Sequence, residues 1–206
     1  MWNERYSKPG YLFGTEPAQF LREHDVWLKP GARALAVADG EGRNSVYMAG
    51  KGLDVVAMDA SHIAVEKARA LALAHKASVD FNVADIAKWD WDATPFDLVV
   101  AIFIQFVGPE QRDRIFQDMK RAVKPGGVVM LHGYTPEQVE LGTGGPPRAE
   151  NMYTEEMLQQ AFADFEILEL RAYRRHVDEG EGHSGDSALI DLVARKPAYG
   201  GGLVDK

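Results

Sequence analysis

The sequence predicts an α/β fold: a doubly wound, mostly parallel seven-stranded sheet with a C-terminal antiparallel hairpin. Three observations carry this. Residues 34–59 read as strand, glycine turn, helix, strand and acid. Short apolar runs then alternate with helix-compatible segments as far as His132, the pattern of a parallel sheet. Finally, two strand-like segments follow one another near the C-terminal end without a helix between them, so they pair as antiparallel neighbours.

Taken in order, residues 2–14 are aromatic and glycine-bearing (Trp2, Tyr6, Tyr11, Phe13) without a clear period. They are expected either to pack on the domain or to cover a small ligand. Thr15-Glu16-Pro17 predicts a helix start, with Phe20, Leu21 and Trp27 on the apolar side and Pro30-Gly31 as the stop. His24 falls in its polar part and is expected to be solvated. Residues 35–38 form a first apolar strand. Gly40 and Gly42 then let the backbone turn tightly and lie close to a ligand. Residues 44–50 are helix-compatible, Gly52 ends them, and residues 53–58 make a second buried strand. Asp59 sits at its carboxyl end, where open α/β sheets bind ligands.

Ser61 is placed to cap a helix running to about Lys76, with Ile63, Val65, Ala68, Leu71 and Ala72 apolar. Residues 79–83 predict a third strand with Asp85 just beyond it, as a ligand contact or as the cap of the next turn. Trp89 and Trp91 follow and read as packing or surface residues rather than a cofactor box. Residues 96–103 are a fourth, fully buried strand, with Gln105 beyond its end. Residues 109–123 form an amphipathic helix with Pro109 in its first turn, residues 124–127 a turn, and residues 128–132 a fifth strand. Thr135-Pro136-Glu137-Gln138 has capping-box spacing, and residues 141–147 are too rich in Gly and Pro for regular structure. A helix over 154–162 precedes strands over 165–173 and 188–194, joined by a polar connection that carries His176 and His183.

At 206 residues, 46% of them hydrophobic, the chain suits one domain with a full core. It is expected to span 1–197, with 1–30 as N-terminal cover and helix and 198–206 as a mobile tail. A net charge of −8 argues against a broad surface for nucleic acid or anionic membrane. The absence of cysteine excludes disulfides, thiolate metal sites and a cysteine nucleophile, and it fits a reducing compartment. The first residues are too polar for a signal peptide, and no apolar run approaches the ~20 residues of a membrane span. A cytoplasmic protein, monomeric or weakly dimeric, is expected.

An acid after the second strand can accept hydrogen bonds from both ribose hydroxyls of an adenosine, so a nucleoside cofactor is expected. Gly40-Glu41-Gly42-Arg43-Asn44-Ser45 comes close to a dinucleotide fingerprint, but Asp39 and Glu41 beside it would repel a pyrophosphate. S-adenosylmethionine carries an ammonium and a sulfonium and no phosphate, and the charge of the turn favours it over NAD. A nicotinamide-dependent reductase is the weaker alternative.

Six stretches together resemble the class I S-adenosylmethionine-dependent methyltransferases, in particular the tellurite-resistance and thiopurine methyltransferase-like group. They are WNERY at 2–6, YLFGTEP at 11–17, GEGRNSVYMA at 40–49, AMDAS at 57–61, KPGG at 124–127 and VARKP at 193–197. The resemblance implies a Rossmann-like methyltransferase domain. It implies that Ala38, Asp39, Gly40 and Gly42 hold the methionine moiety and that Asp59 and Ala60 meet the adenosine. Asp85 and Ile86 would reach the adenine, residues 102–105, beginning with Ile102, would line the sulfonium side, and Tyr11 and Gly14 would lie near the methionine end. Two positions depart from the family pattern: Ala36 replaces its usual first-strand acid, for which Asp39 could substitute, and Ala38 replaces its first glycine.

The implied reaction is methyl transfer to a small-molecule acceptor, with a thiol, selenium or tellurium species as the readiest nucleophile. An alcohol or amine would need a proton acceptor. Gln105, His132, Tyr134, His176 and His183 are the candidates on that side, and the resemblance assigns a functional histidine to the hairpin connection. Spacing to the VARK strand favours His176, whereas the local GEGH match favours His183. The alternative class is a non-catalytic domain that binds or senses S-adenosylmethionine.

Overall fold

The computed structural model describes residues 2–198, and the expected tail lies almost wholly outside them. Seven strands form one sheet: β1 (Arg33–Val37), β2 (Asp54–Asp59), β3 (Val79–Val83), β4 (Phe96–Ile102), β5 (Val123–Tyr134), β6 (Glu166–Asp178) and β7 (Ser184–Arg195). Their spatial order is β3-β2-β1-β4-β5-β7-β6. The first five pair in parallel, and β7 runs antiparallel to both β5 and β6. The chain reverses its direction of winding at β1, so the carboxyl ends of β1 and β4 flank a crevice.

Period-two alternation assigns the two faces. Leu35 and Val37 of β1 enter one core with Phe116, Met119 and Phe162. Ala34 and Ala36 enter the other with Phe20, Leu21 and Met48. Helix α3 (Arg43–Gly50) joins β1 to β2, α4 (His62–Ala74) joins β2 to β3, and α5 (Pro109–Ala122) joins β4 to β5. The expected Ser61 cap is present, its hydroxyl accepting the Ala64 N–H at 3.2 Å. The connection from β3 to β4 holds no helix. It packs through Trp91, which is buried and donates its indole N–H to the Ile86 carbonyl.

Several expectations are corrected. A one-turn helix α1 (Trp2–Tyr6) stands where the sequence has no period. The next helix, α2 (Gln19–Glu23), starts after Thr15-Glu16-Pro17, because extended Ala18 spends its N–H on the Asn44 side chain. His24 is buried, with Nδ1 2.7 Å from the Phe20 carbonyl and Nε2 2.9 Å from Glu169. The capping-box segment gives only α6 (Gln138–Leu141), without a side-chain cap. Gln138 turns inward instead, accepting the Ala188 N–H and donating to Thr143. A later helix, expected over 154–162, is α7 (Glu155–Ala161), with Thr154 as its cap rather than its first residue. The KPGG segment is an irregular start of β5 rather than a separate turn.

The hairpin is the largest difference, since β6 and β7 extend through most of the polar connection. β6 is an edge strand with one face in water, so polar residues continue it where an apolar pattern would stop. The cross-strand pair His176–Asp186 lies in that extension.

Candidate functional site

A cavity of about 570 Å³ opens over the carboxyl ends of the parallel strands. Its floor on one side comes from β1, β2 and β3 and the residues after them: Ala36, Ala38, Asp39, Gly40, Asp59, Ala60, Asp85 and Ile86. On the other side Ile102, Phe103, Tyr134 and His183 line it, and Trp2, Arg5 and Tyr6 of α1 also contribute.

The glycine turn is built by its own backbone. Gly40 has φ +63°, and a Cβ there would stand 2.9 Å from the Tyr6 hydroxyl. Ala38, which replaces the family's first glycine, also lies in the left-handed region, at φ +47°. Non-glycine residues seldom adopt that conformation, and it concentrates at functional sites. Gly42 serves another purpose: at φ +90° its Cβ would lie 2.6 Å from Ala68 Cβ. It therefore permits α3 to meet α4 and does not line the cavity.

Asp59 accepts the Gly40 N–H at 2.9 Å through Oδ2 and the Ser61 N–H at 2.8 Å through Oδ1. Each oxygen keeps a second lone pair. Burial raises its carboxyl above the ordinary range, partly offset by those two N–H groups. Asp39 accepts both the Ser45 hydroxyl and the Ser45 N–H, at 2.5 and 3.2 Å. Burial nevertheless pushes its carboxyl up to about 7. Glu41 turns away from the cavity, accepting the Leu12 N–H at 2.8 Å and pairing with Lys67 at 2.9 Å. The charge argument against a pyrophosphate, which needed both acids of the turn, thus keeps Asp39 and loses Glu41.

Among the lining residues the carboxylates Asp39, Asp59 and Asp85 belong to the β1–β3 side, whereas Arg5, Arg148, Tyr134 and His183 are spread around the rest. This set fits S-adenosylmethionine. Asp59 offers acceptors for ribose hydroxyls, Asp39 an anion for the ammonium, and exposed Asp85 a carboxylate for the adenine amino group. Asp85 also accepts the Ala87 N–H at 2.9 Å, so it caps the next turn as well.

His183 lies at the β6–β7 turn, folded over the cavity. Its imidazole is stacked between Phe13, 4.5 Å away, and Phe103, 4.0 Å away. Nδ1 is 2.6 Å from the Tyr134 hydroxyl, and no described residue hydrogen-bonds Nε2. Burial holds this imidazole well below the usual histidine range, with Arg43, His132 and Arg5 acting in the same direction. The Tyr134 phenol is raised above its ordinary value by burial. The pair is therefore neutral at physiological pH.

The other candidates lie elsewhere. His176 is 70% exposed on β6 and pairs with Asp186, so the structure separates it from the cavity. Gln105 reaches the lining, but both ends of its amide bond the Tyr134 backbone, Nε2 to the carbonyl and Oε1 from the N–H. It is a brace. His132 pairs with Asp191 at 2.6 Å and stacks on Phe20, below the cavity. Tyr11 donates to the Lys67 carbonyl and packs on the α3–α4 cluster, and Gly14 is absent from the lining. Phe103 lines the cavity, as residues 102–105 were expected to, and Trp2 and Tyr6, expected only as packing or cover, line it too, while Arg43 was missed. A one-turn helix gives no period for α1, but Arg43 stood in the glycine turn.

Comparison with known proteins agrees with this geometry. A family model described as a methyltransferase domain matches residues 34–127. Malonyl-acyl-carrier-protein O-methyltransferase of Salmonella typhimurium is 30% identical over 179 residues, 79% of this chain and 68% of that protein. Phosphoethanolamine N-methyltransferase 3 of Arabidopsis thaliana is 33% identical over 112 residues, 52% of this chain, and the chain spans only 22% of that protein's length. A solved structure concerned with conversion of a disulfide bond into a thioacetal group during echinomycin biosynthesis shares the fold. Its TM-score is 0.77 over 97% of this chain and 92% of that one, at 18% identity. The chain belongs to the class I S-adenosylmethionine-dependent methyltransferases.

Proposed function

We propose that the protein methylates a small-molecule acceptor, a thiol or a selenium or tellurium species, beside His183. The observation that carries this is the neutral Tyr134–His183 pair on the cavity wall, its imidazole stacked between two phenyl rings. When bound, S-adenosylmethionine supplies a methyl carbon on a sulfonium that is already a good leaving group. The chain's part is to bind, align and exclude water. Asp59 holds the ribose, Asp39 the ammonium and Asp85 the adenine. Phe13 and Phe103 fix the imidazole plane. With Nδ1–H donated to Tyr134, Nε2 can take the proton of a neutral acceptor, and an acceptor arriving as an anion needs no base.

The acceptor side also selects. Arg5, Arg43 and Arg148 line the same cavity as His183, which supports a soft anion over an ammonium as acceptor. The protein would act as a monomer or weak homodimer in the cytoplasm, and no described helix is long and apolar enough to cross a membrane.

The test is turnover of labelled S-adenosylmethionine with a panel of thiols, selenite and tellurite, comparing wild type with His183→Asn. Methylated product that falls at least tenfold in the variant, with unchanged binding of S-adenosylhomocysteine, supports the reading. Equal turnover in both proteins refutes the role of His183. Ala36 supports a second reading, a sensing domain, because it puts a methyl group on the cavity wall where the family has an acid. Tight binding with no product from any acceptor would favour it.

A further inference from the structure

Arg43 and Glu179 are 136 residues apart, yet Arg43 Nη2 donates to Glu179 Oε2 at 2.9 Å, with side chains only 7% and 11% exposed. Arg43 opens α3 and lines the cavity. Glu179 begins the β6–β7 turn, where its N–H donates to the His183 carbonyl at 2.8 Å. The second carboxylate oxygen accepts the Gln19 N–H at 3.0 Å, and Arg43 Nη1 reaches the Glu16 carbonyl at 3.4 Å. One ion pair thus joins the cofactor turn, the N-terminal segment and the hairpin tip. Burying two charges is costly, and the fold already has the sheet to hold the hairpin, so stability alone is a poor reason for the pair.

We propose that the buried Arg43–Glu179 pair is a positioning device of the methyl-transfer site, tying the glycine turn to the hairpin tip and holding the Arg43 charge in the cavity wall that His183 also lines. This rests on the reading of His183 given above. Glu179 fixes the guanidinium, and the guanidinium disfavours a second positive charge on the imidazole. His132 and Arg5 act on the ring in the same direction but less than Arg43. Tyr134 is a neutral phenol, Phe13 and Phe103 carry no charge, His132 is bound to Asp191, and Arg5 is exposed on α1. Burial of the ring acts in the same direction as Arg43. Burial also opposes ionisation of Glu179, but Arg43 and the Gln19 N–H outweigh it and hold that carboxyl below its ordinary range.

The test is NMR titration of the His183 imidazole, assigned by loss of its resonance in His183→Asn, in wild type, Arg43→Gln, Arg43→Lys and Glu179→Gln. It needs no acceptor. Arg43→Gln should raise the midpoint by about half a pH unit or more, the direction expected when a nearby like charge is removed. Arg43→Lys should keep it low, and Glu179→Gln should leave it unchanged or lower it. Loss of hairpin packing alone would hydrate the ring and raise the midpoint in both Gln variants, which would overturn the proposal, as would no rise in Arg43→Gln. If Arg43→Gln does not fold, the double variant Arg43→Gln/Glu179→Gln removes the pair without leaving a lone charge and should show a rise above the midpoint of Glu179→Gln. A normal midpoint response with full turnover in His183→Asn would sink the base assignment and leave the electrostatic inference standing.

Discussion

Replacing Asp59 by alanine should weaken cofactor binding by about 100-fold, and the structure shows how to separate this from a folding defect. The carboxylate has two duties: its oxygens accept the Gly40 and Ser61 N–H groups, and their remaining lone pairs face the cavity. A hydrogen bond to a charged group contributes about 1.5–3 kcal/mol. Two ribose bonds at the lower figure give about 3 kcal/mol, and each 1.4 kcal/mol is one decade in affinity. Loss of the two backbone partners adds a stability cost of about 1–2 kcal/mol, because water can reach the vacated space. Glu41→Gln is the control. That carboxylate is equally buried but holds Leu12 and Lys67, so the variant should melt earlier and still bind. Calorimetry with S-adenosylhomocysteine, paired with thermal melts, reads both quantities. A folded Asp59→Ala protein binding within about threefold of wild type would place the ribose elsewhere.

Other consequences follow from the same geometry. The folded protein holds the Asp39 proton up to about pH 7 against an ordinary value of 3.8, so this group favours folding at low pH and that contribution is lost as pH rises through the window to about 7. An ammonium beside it should expel the proton. Binding of S-adenosylhomocysteine at pH 6 is therefore expected to release a proton, seen as a dependence of binding heat on buffer ionisation, and Asp39→Asn should abolish it. Gly42→Ala should lower stability by about 2 kcal/mol or more, from the contact with Ala68 and the left-handed backbone, and an unchanged melting temperature would contradict that packing role. His176→Ala should keep turnover within about twofold, since its ring faces solvent, whereas a loss on the scale of general-base removal, about 100-fold, would restore it as the functional histidine.

The parallel core was legible because its signals are local. Apolar runs, the glycine turn and the cap at Ser61 depend on residues near one another in sequence. Asp59 and Asp39 were legible as well, being fixed to strand ends. The hairpin was legible too but its length was not, because beyond Tyr173 the edge strand β6 carries charges that look like a loop until Asp186 is seen across from His176. The same blindness left His176 and His183 equal: one turn at Glu179–His183 decides which enters the cavity. Gln105 looked chemical from its place after β4, and only the position of the Tyr134 backbone reveals a brace. Glu41 looked like part of the ligand-facing charge, and its partner Lys67 lies on a different helix.

The most direct measurement is a crystal structure with S-adenosylhomocysteine bound. The ribose hydroxyls should lie within hydrogen-bond distance of Asp59, the ammonium beside Asp39, and the sulfur toward Phe103 and His183, with space for an acceptor bounded by Tyr134 and Arg148. Density for the ligand outside this cavity, or with its sulfur turned away from His183, would contradict the account.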